Sequence, residues 1–425
     1  MARIPLAKLS TIVLAGLLLT TPSHGDDDLL SDDFDDAGDL FSEDGFEEDS
    51  FSVSNILAAQ NEPFQLSVEH SVALNPKANY QRTNHTTDLR LSTERSLGLL
   101  GYGEIELKAM QYWPGDVNKP AGRPLSKVEV EKLIVQYSLA ETSVKLGRYV
   151  LSWGEVEGAG VLDLINPGPD VTAGGTGYKP QWLLSGSYYM PAAEVSGFIN
   201  LDPTVGKIPS ITLATQTTKE WGVKYAVTGS GTDWALYLGQ LVPNTPVINL
   251  ATMQASANHY KLVGFSWNKA IDDDLLKVDL AYKQGLEHNL GYTGLITDNR
   301  LDAAIGLELN DGDRQWNMSL TAKHWLNYQS SYLTPAVAPV ASNRTDWTYN
   351  IGVSDNFKND EFSWSVVHFG TPNGALMALT GSLTWKPTDQ WQTSLSYATM
   401  QASATSAFAV MDGLQRVTLK TKFSY

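Results

Sequence analysis

The chain ends in Gln415-Arg-Val-Thr-Leu-Lys-Thr-Lys-Phe-Ser-Tyr425, a stretch that alternates strictly between two faces. One face holds Val417, Leu419, Thr421, Phe423 and Tyr425, and the other holds Arg416, Thr418, Lys420, Lys422 and Ser424. Successive side chains of a β-strand point to opposite sides, so this period of two predicts a strand with one apolar face. The last strand of an outer-membrane barrel has this pattern, but a surface strand of a β-sandwich could also end in this way. The rest of the chain decides between these two folds.

The same alternation recurs along the chain, for example over 219–228, 274–284, 300–310 and 346–356. These segments run to about ten residues, the length of a tilted membrane strand, whereas sandwich strands of five or six residues are usual. Short turns between the segments alternate with long loops, which lie near residues 75–85, 113–127, 152–180, 202–218, 242–257, 285–299, 326–345 and 401–414. Short periplasmic turns and long external loops are typical of an outer-membrane β-barrel.

We count eighteen alternating segments, among them 101–112, 181–190, 232–241 and 314–325. The sequence therefore predicts an all-β, transmembrane antiparallel β-barrel of about 18 strands over residues 63–425, with 16 strands as the alternative. An even number of strands places both ends of the barrel in the periplasm. At this size the lumen is wide enough for an aqueous channel unless loops fill it.

The N-terminus has the pattern of a secretory signal peptide. Arg3 and Lys8 precede an apolar run over 9–19, and small residues follow up to Gly25. Such a run is too short to cross a bilayer, so residues 1–25 are predicted to be removed on export to the outer membrane of a Gram-negative bacterium. The chain has no cysteine, which excludes disulfides and thiolate metal sites.

An acidic segment follows the predicted signal peptide. Residues 26–51 carry 13 acidic side chains and no basic one, and removing residues 1–51 changes the net charge from −17 to −6. Charge density of this kind opposes collapse, so residues 26–62 are predicted to form a disordered periplasmic tail. The rest of the chain has no basic patch suited to nucleic acid.

Aromatic residues are spaced evenly through this tail, each set among acids: Phe34, Phe41, Phe46 and Phe51. The spacing is typical of a short linear motif that folds onto a basic, grooved partner. The alternative is a soluble spacer that helps chaperones to hold the chain.

Charged residues on the predicted inner face concentrate on three successive strands. They are Glu104, Glu106, Lys108, Lys132 and Arg148, and they are the candidates for a constriction of the lumen. The alternative is that they only hydrate the lumen and pair across strands. Because both signs are present, no ion selectivity is predicted.

The loop over 152–180 is too apolar to extend into water, since it contains Val161, Leu162, Leu164 and Ile165. It is predicted to enter the lumen as a partial plug or to dock on the inner wall, with packing on neighbouring loops as the alternative. The candidate residues of this plug are Trp153, Glu155, Asp163, Asn166 and Pro167.

Residues at the start of this loop carry a family resemblance. Leu146-Gly-Arg-Tyr-Val-Leu-Ser-Trp-Gly-Glu155, followed by Asp163-Leu-Ile-Asn-Pro167, resembles the Gly-Arg-Gln…Ser-Trp-Gly…Asn-Pro signature of the domain-of-unknown-function 1302 family of outer-membrane proteins, relatives of alginate-export type barrels. Tyr149 stands where glutamine is common in that signature. The resemblance implies passage of hydrophobic or lipid-like compounds, together with inner-membrane exporters of the resistance-nodulation-division type.

The sequence does not predict an enzyme, a cofactor or a metal site, because no nucleophile elbow, metal-ligand spacing or phosphate-binding loop occurs in it. Our leading hypothesis is an outer-membrane channel for hydrophobic or lipid-like compounds, coupled through the acidic tail to a periplasmic or inner-membrane export partner. The alternatives are a general diffusion porin, and a non-conducting structural or adhesion barrel that binds through loops 152–180 and 326–345. The other expected partners are outer-membrane lipid and the barrel-assembly machinery, the latter through Phe423 and Tyr425.

Overall fold

The computed structural model describes residues 64–113, 126–162, 164–167, 178–206, 212–216, 219–335, 339–409 and 412–425. Within these residues eighteen strands form one closed antiparallel barrel, which confirms the predicted fold and the predicted strand number. The strands are β1 (Gln65–Asn75), β2 (Gln81–Ser96), β3 (Gly101–Tyr112), β4 (Ser126–Leu139), β5 (Thr142–Tyr149), β6 (Gln181–Met190), β7 (Ala193–Asn200), β8 (Glu220–Thr228), β9 (Thr232–Leu241), β10 (Tyr260–Ile271), β11 (Asp274–Leu290), β12 (Leu295–Asp311), β13 (Arg314–Trp325), β14 (Thr345–Phe357), β15 (Phe362–Gly370), β16 (Leu376–Thr388), β17 (Trp391–Ala402) and β18 (Gln415–Ser424). The predicted signal peptide and acidic tail lie outside the described residues.

The barrel closes between its first and last strands. β1 pairs with β18 from Ser67 opposite Ser424 to Leu74 opposite Val417. Beyond this ladder the main-chain N–H of Leu66 donates to the carbonyl of Tyr425 (3.0 Å), and the N–H of Tyr425 donates to the carbonyl of Leu66 (2.8 Å). Each strand therefore has two neighbours, and the sheet presents no open edge.

Alternation along the strands sends apolar side chains outward and polar ones inward. Outward-facing, exposed side chains include Leu89, Val144, Leu184, Val223, Leu238, Val263, Leu280, Ile305, Leu320, Ile351, Leu379, Leu395 and Leu419. Buried, inward-facing side chains include Asp88, Lys108, Asp279, Lys283, Asp302 and Thr418. The charges are thus in the interior and the apolar surface outside, the reverse of a soluble β-sandwich.

Exposed aromatic side chains lie near both ends of the barrel. At the end that carries the short turns they are Tyr137, Tyr188, Trp316, Phe357, Trp385, Trp391, Phe423 and Tyr425, and at the other end they include Trp113, Trp182, Trp221, Tyr292 and Trp347. Aromatic bands at two levels are what the two membrane–water interfaces favour.

The prediction of a long loop is wrong at two places. Strands β11 and β12 continue to Leu290 and from Leu295, so the loop expected at 285–299 is reduced to residues 291–294. The loop expected at 75–85 is a single 3-10 turn, Pro76–Ala78, followed directly by β2.

The loops at the other end contain further short strands. Leu213–Gln216, Val247–Asn249 and Gln254–Ala257 form a small separate sheet, and Tyr332–Thr334 pairs with Val340–Ala341 beside β11. In the described parts of the chain no helix has the length and apolarity needed to cross a membrane.

Candidate functional site: the lumen and its inserted loop

The loop after β5 turns into the barrel and packs on the inner wall. We call its described residues, 150–162 and 164–167, the plug segment. Its apolar side chains are buried against inward-facing residues of the strands: Trp153, Val156, Val161, Leu162 and Ile165 share one cluster with Phe198, Tyr237, Leu262 and Ala304. The Trp153 ring lies 5.3 Å from that of Phe198 and 5.2 Å from that of Tyr237, centroid to centroid. The sequence left open a partial plug, docking on the inner wall, or packing only on neighbouring loops, and the described residues of this loop dock on the inner wall.

Glycines on three strands make room for this segment. A Cβ at Gly222 of β8 would overlap the Trp153 ring, and one at Gly264 of β10 would come within 2.5 Å of Leu162 Cδ2. At Gly306 of β12 the nearest atom is Cγ1 of Val156, at 3.2 Å. The glycines therefore form a shallow track in the wall, because a larger residue at Gly222 or Gly264 would push the plug segment away.

A buried carboxylate holds the backbone of the plug segment. Asp279 of β11 accepts from the N–H of Glu155 at Oδ1 (3.0 Å) and from the N–H of Val156 at Oδ2 (3.0 Å). Gly154, just before this pair, has a φ of +96°, which turns the two N–H groups toward the wall. The Glu155 side chain accepts from Nδ2 of Asn268 at 2.8 Å.

Asn166 ties the two ends of the segment together. Its Nδ2 donates to the carbonyl of Leu151 (2.8 Å), and its Oδ1 accepts from the N–H of Leu151 (3.3 Å). The Asn166 carbonyl accepts from Asn244, and the carbonyl of Pro167 accepts from the N–H of Lys179 (2.8 Å). Asp163, the remaining plug candidate, lies outside the described residues.

An ion cluster lines a small cavity between the plug segment and the wall. Lys277 of β11 lies 3.5 Å from Glu157 of the plug segment and also pairs with Glu308 of β12. Burial raises the pKa of Glu157 to about 7, although the nearby Lys277 acts in the opposite direction. Glu157 can therefore change its charge near neutral pH where the plug segment meets the wall.

The predicted constriction residues of β3 and β4 form ion pairs across strands. Lys132 lies 2.9 Å from Glu104, and Glu106 faces Lys132 in the same ladder. Lys108 lies 3.0 Å from Asp88 on β2. The structure thus brings four of the five predicted residues to one sector of the inner wall, where Glu104, Lys108 and Lys132 form ion pairs.

Glu131 belongs to this network and was not predicted. Its carboxylate lies 3.5 Å from Lys108 and 3.7 Å from Arg90. Strict alternation would send Glu131 and Lys132 to opposite faces, but a β-bulge shifts the register here and turns both inward. The alternation that starts at Val128 breaks at the adjacent charged residues Glu131 and Lys132, and this break is the sequence signal that could have predicted the bulge.

Arg148 does not join this network, and the expectation that it lines the lumen is wrong. It lies directly opposite Leu133 and Trp182, and the Trp182 side chain is 52% exposed on the outer wall. Its neighbour Tyr149 is the inward-facing residue, buried in the cluster around the plug segment. Since alternate residues share a face, the apolar pair Val144 and Leu146 already places Arg148 outward.

A second ionic network lies on β11, β12 and β13. Asp302 lies 2.7 Å from Lys283 and accepts from both Nε (2.6 Å) and Nη2 (2.8 Å) of Arg300. The Arg300 guanidinium also lies over the Trp325 ring, 5.2 Å from its centroid. The described residues contain no group of three or more histidine or acidic side chains placed to hold a metal ion.

No family model and no curated protein matches this chain. Solved structures are similar in fold. A BenF-like porin from Pseudomonas fluorescens Pf-5 is 9% identical with a TM-score of 0.55, and the match covers 85% of this chain and 97% of the porin. OpdK from Pseudomonas aeruginosa, in its structure with vanillate, is 8% identical with a TM-score of 0.52, covering 85% of this chain and 98% of OpdK.

A third similar structure is OccK2 (OpdF) from Pseudomonas aeruginosa in complex with glucuronate, 8% identical with a TM-score of 0.52, where the match covers 85% of this chain and 97% of OccK2. At these identities the likeness is one of fold. The chain shares the barrel architecture of outer-membrane porins.

Proposed function

We propose that this chain is an outer-membrane channel for small, water-soluble solutes. The observation that carries the proposal is the closed barrel itself, apolar outside and charged inside, with a loop docked in its lumen. An apolar outer wall suits lipid, and a charged inner wall suits water and polar solutes. The function would be transport, and no catalytic role is proposed.

Small carboxylates are the first solutes to test. Vanillate and glucuronate, the compounds in the OpdK and OccK2 structures, both carry a carboxylate. The inner wall of this chain carries cations that are paired with carboxylates, as in Lys132 with Glu104 and Arg300 with Asp302, so a solute carboxylate would exchange with a partner of the same chemistry. The same wall favours polar solutes over the hydrophobic or lipid-like compounds that the family resemblance implied.

The deciding experiment is single-channel conductance of the purified protein in a planar bilayer, together with swelling of liposomes in glucuronate. Steps of current and uptake of glucuronate are expected. A variant with residues 156–162 replaced by a short Gly-Ser linker should conduct more than the parent. If neither protein gave current or swelling, the channel proposal would be abandoned, and surface binding through 326–345 would become the leading hypothesis.

Coupling of the acidic tail to a periplasmic or inner-membrane partner is a second, separate proposal. It is supported by the density of acids over 26–51 and by the spacing of Phe34, Phe41, Phe46 and Phe51. Deleting 26–51 should abolish transport in cells and leave conductance of the purified barrel unchanged. The matched control replaces only the four phenylalanines with serine, which keeps the charge. Unchanged transport with both variants would exclude the coupling.

A further inference from the structure

The outer wall of the barrel carries a hydrogen-bonded polar cluster on β1, β2 and the end of β3. Arg82 Nη1 lies 3.0 Å from Nδ1 of His85, and Nε2 of His85 lies 3.3 Å from Nε2 of His70. Nδ1 of His70 lies 2.8 Å from Oγ1 of Thr87, and the Trp113 indole N–H donates to the same oxygen, also at 2.8 Å. We call these five residues the rim cluster.

The rim cluster faces outward. His85 lies opposite Val72, which lies opposite Leu419, and the Leu419 side chain is 48% exposed among the apolar residues of the outer wall. A charged side chain at mid-membrane on this face costs about 2–4 kcal/mol, and the cost falls toward zero at the interface. A cluster that contains an arginine is therefore expected at the edge of the apolar band and not within it.

The cluster reaches the end of the barrel that carries the long loops. Arg82 and His85 lie near the start of β2, which begins at Gln81. Trp113 directly follows the end of β3. This rim also carries exposed aromatic side chains, among them Trp182, Trp221 and Trp347. The cluster therefore lies at the level where aromatic side chains mark a membrane–water interface.

Hydrogen-bond direction fixes the His85 ring. Arginine can only donate, so Nδ1 of His85 accepts from Arg82 and Nε2 of His85 then donates to His70. The Trp113 indole stacks on the His85 ring at 5.6 Å, with 23° between the planes. The ring is therefore neutral in this arrangement, and it is held between a guanidinium and an indole.

We propose that the rim cluster binds the phosphate-bearing head group of a lipid of the outer leaflet. Arg82 supplies the permanent positive charge and the donor geometry that phosphate requires. His85 accepts from Arg82 and so orients the guanidinium toward the head group, while His70 and Thr87 position the His85 ring. This inference rests on the proposed placement of the barrel in the outer membrane, and it is independent of what the lumen transports.

The test uses the full chain in detergent, mixed with diphosphoryl lipid A or with lipid A from which the phosphates have been removed. Lipid retained per barrel is counted by native mass spectrometry. The parent should retain the phosphorylated lipid preferentially, and Arg82→Ala and His85→Ala should each weaken retention about tenfold, as expected for loss of a charge-assisted hydrogen bond. His324→Ala is the matched control, since His324 also faces outward at this rim and lies 2.7 Å from Oγ1 of Thr345.

Equal retention by the parent and both variants, or equal retention of the two lipids, would overturn the proposal. So would a change in oligomeric state with unaltered lipid retention, because the cluster would then contact a second copy of the chain. Each variant is first shown to be folded by its shift on unheated SDS gels. Conductance is measured on the same samples. The channel proposal can then fail while the lipid is still retained, so the two outcomes are distinguishable.

Discussion

Asp279 is the residue on which docking of the plug segment depends most directly. Its buried carboxylate accepts from two backbone N–H groups, of Glu155 and Val156. Asp279→Ala leaves both donors without an acceptor, at a cost of about 1–3 kcal/mol each, so the plug segment should detach. We expect larger conductance steps and faster proteolysis within 150–162.

Asp279→Asn is the graded control for this prediction. An amide keeps one acceptor oxygen and loses the charge, so its effect should lie between those of the parent and Asp279→Ala. If the alanine variant conducted like the parent and resisted protease equally, the apolar contacts of Trp153 and Leu162 would suffice to hold the segment.

Glu157 makes docking of the plug segment dependent on pH. Burial raises its pKa to about 7, above the value of the free side chain. A raised pKa means that the docked state binds the proton more tightly, so the stabilisation is complete below about pH 4.5 and is lost as the pH rises through 7. We expect more frequent open events at pH 8 than at pH 5 in single-channel recordings.

Glu157→Gln is the control for the pH effect. The glutamine stays neutral, so the dependence on pH between 5 and 8 should flatten. The paired Lys277 and Glu308 remain in this variant, and a dependence that persisted unchanged would assign the effect to other groups.

At the scale of the element, the plug segment can be locked to the wall. The chain has no cysteine, so an engineered pair has no competitor. Val156 Cγ1 lies 3.2 Å from where a Cβ on Gly306 would stand, which is close enough for a disulfide after Val156→Cys and Gly306→Cys. Conductance should stay low when the pair is oxidised and rise on reduction, whereas either single cysteine variant should show no response to the reductant.

The strands were predictable because their signal is local. The bounds of β3, β6, β9 and β13 agree with those read from alternation alone, since each strand meets an apolar and a polar environment within its own length. Prediction failed where alternation breaks. The register of β11 shifts near Gly285, with φ +87°, so the pattern stopped there while the strand continued to Leu290.

At the same scale the site was only partly predictable. The apolar composition of 152–180 identified the loop that enters the lumen, but its partners are distant in sequence, as Val156 is from Asp279. No local sequence pattern indicates that such distant residues are in contact. The role of Gly222, Gly264 and Gly306 in making room for the plug segment can be recognised only once the arrangement of their strands is known. Glu131 was missed because the bulge in β4 shifts the register by one residue, which reverses the facing. Arg148 was misplaced although alternation with Val144 and Leu146 indicates its outward face.

For the whole molecule, closure of the barrel depends on the β1–β18 seam. Deleting Phe423 to Tyr425 removes the last ladder pairs and both hydrogen bonds between Leu66 and Tyr425. Each lost main-chain bond costs about 1 kcal/mol and more where lipid replaces water, so the seam should be left unpaired at this end, from Leu66 to Val68, and the folded fraction should fall. Heat-modifiable mobility on SDS gels measures that fraction.

Tyr425→Ala separates closure of the seam from recognition by the assembly machinery. The variant keeps the main-chain bonds to Leu66, so the purified chain should refold in detergent as the parent does. If the machinery binds the terminal aromatic face, the same variant should assemble poorly in cells, and Tyr425→Phe, which keeps the ring, should assemble normally. Failure of Tyr425→Ala in detergent as well would make the side chain a structural part of the seam, and normal assembly in cells would remove Tyr425 from the recognition signal.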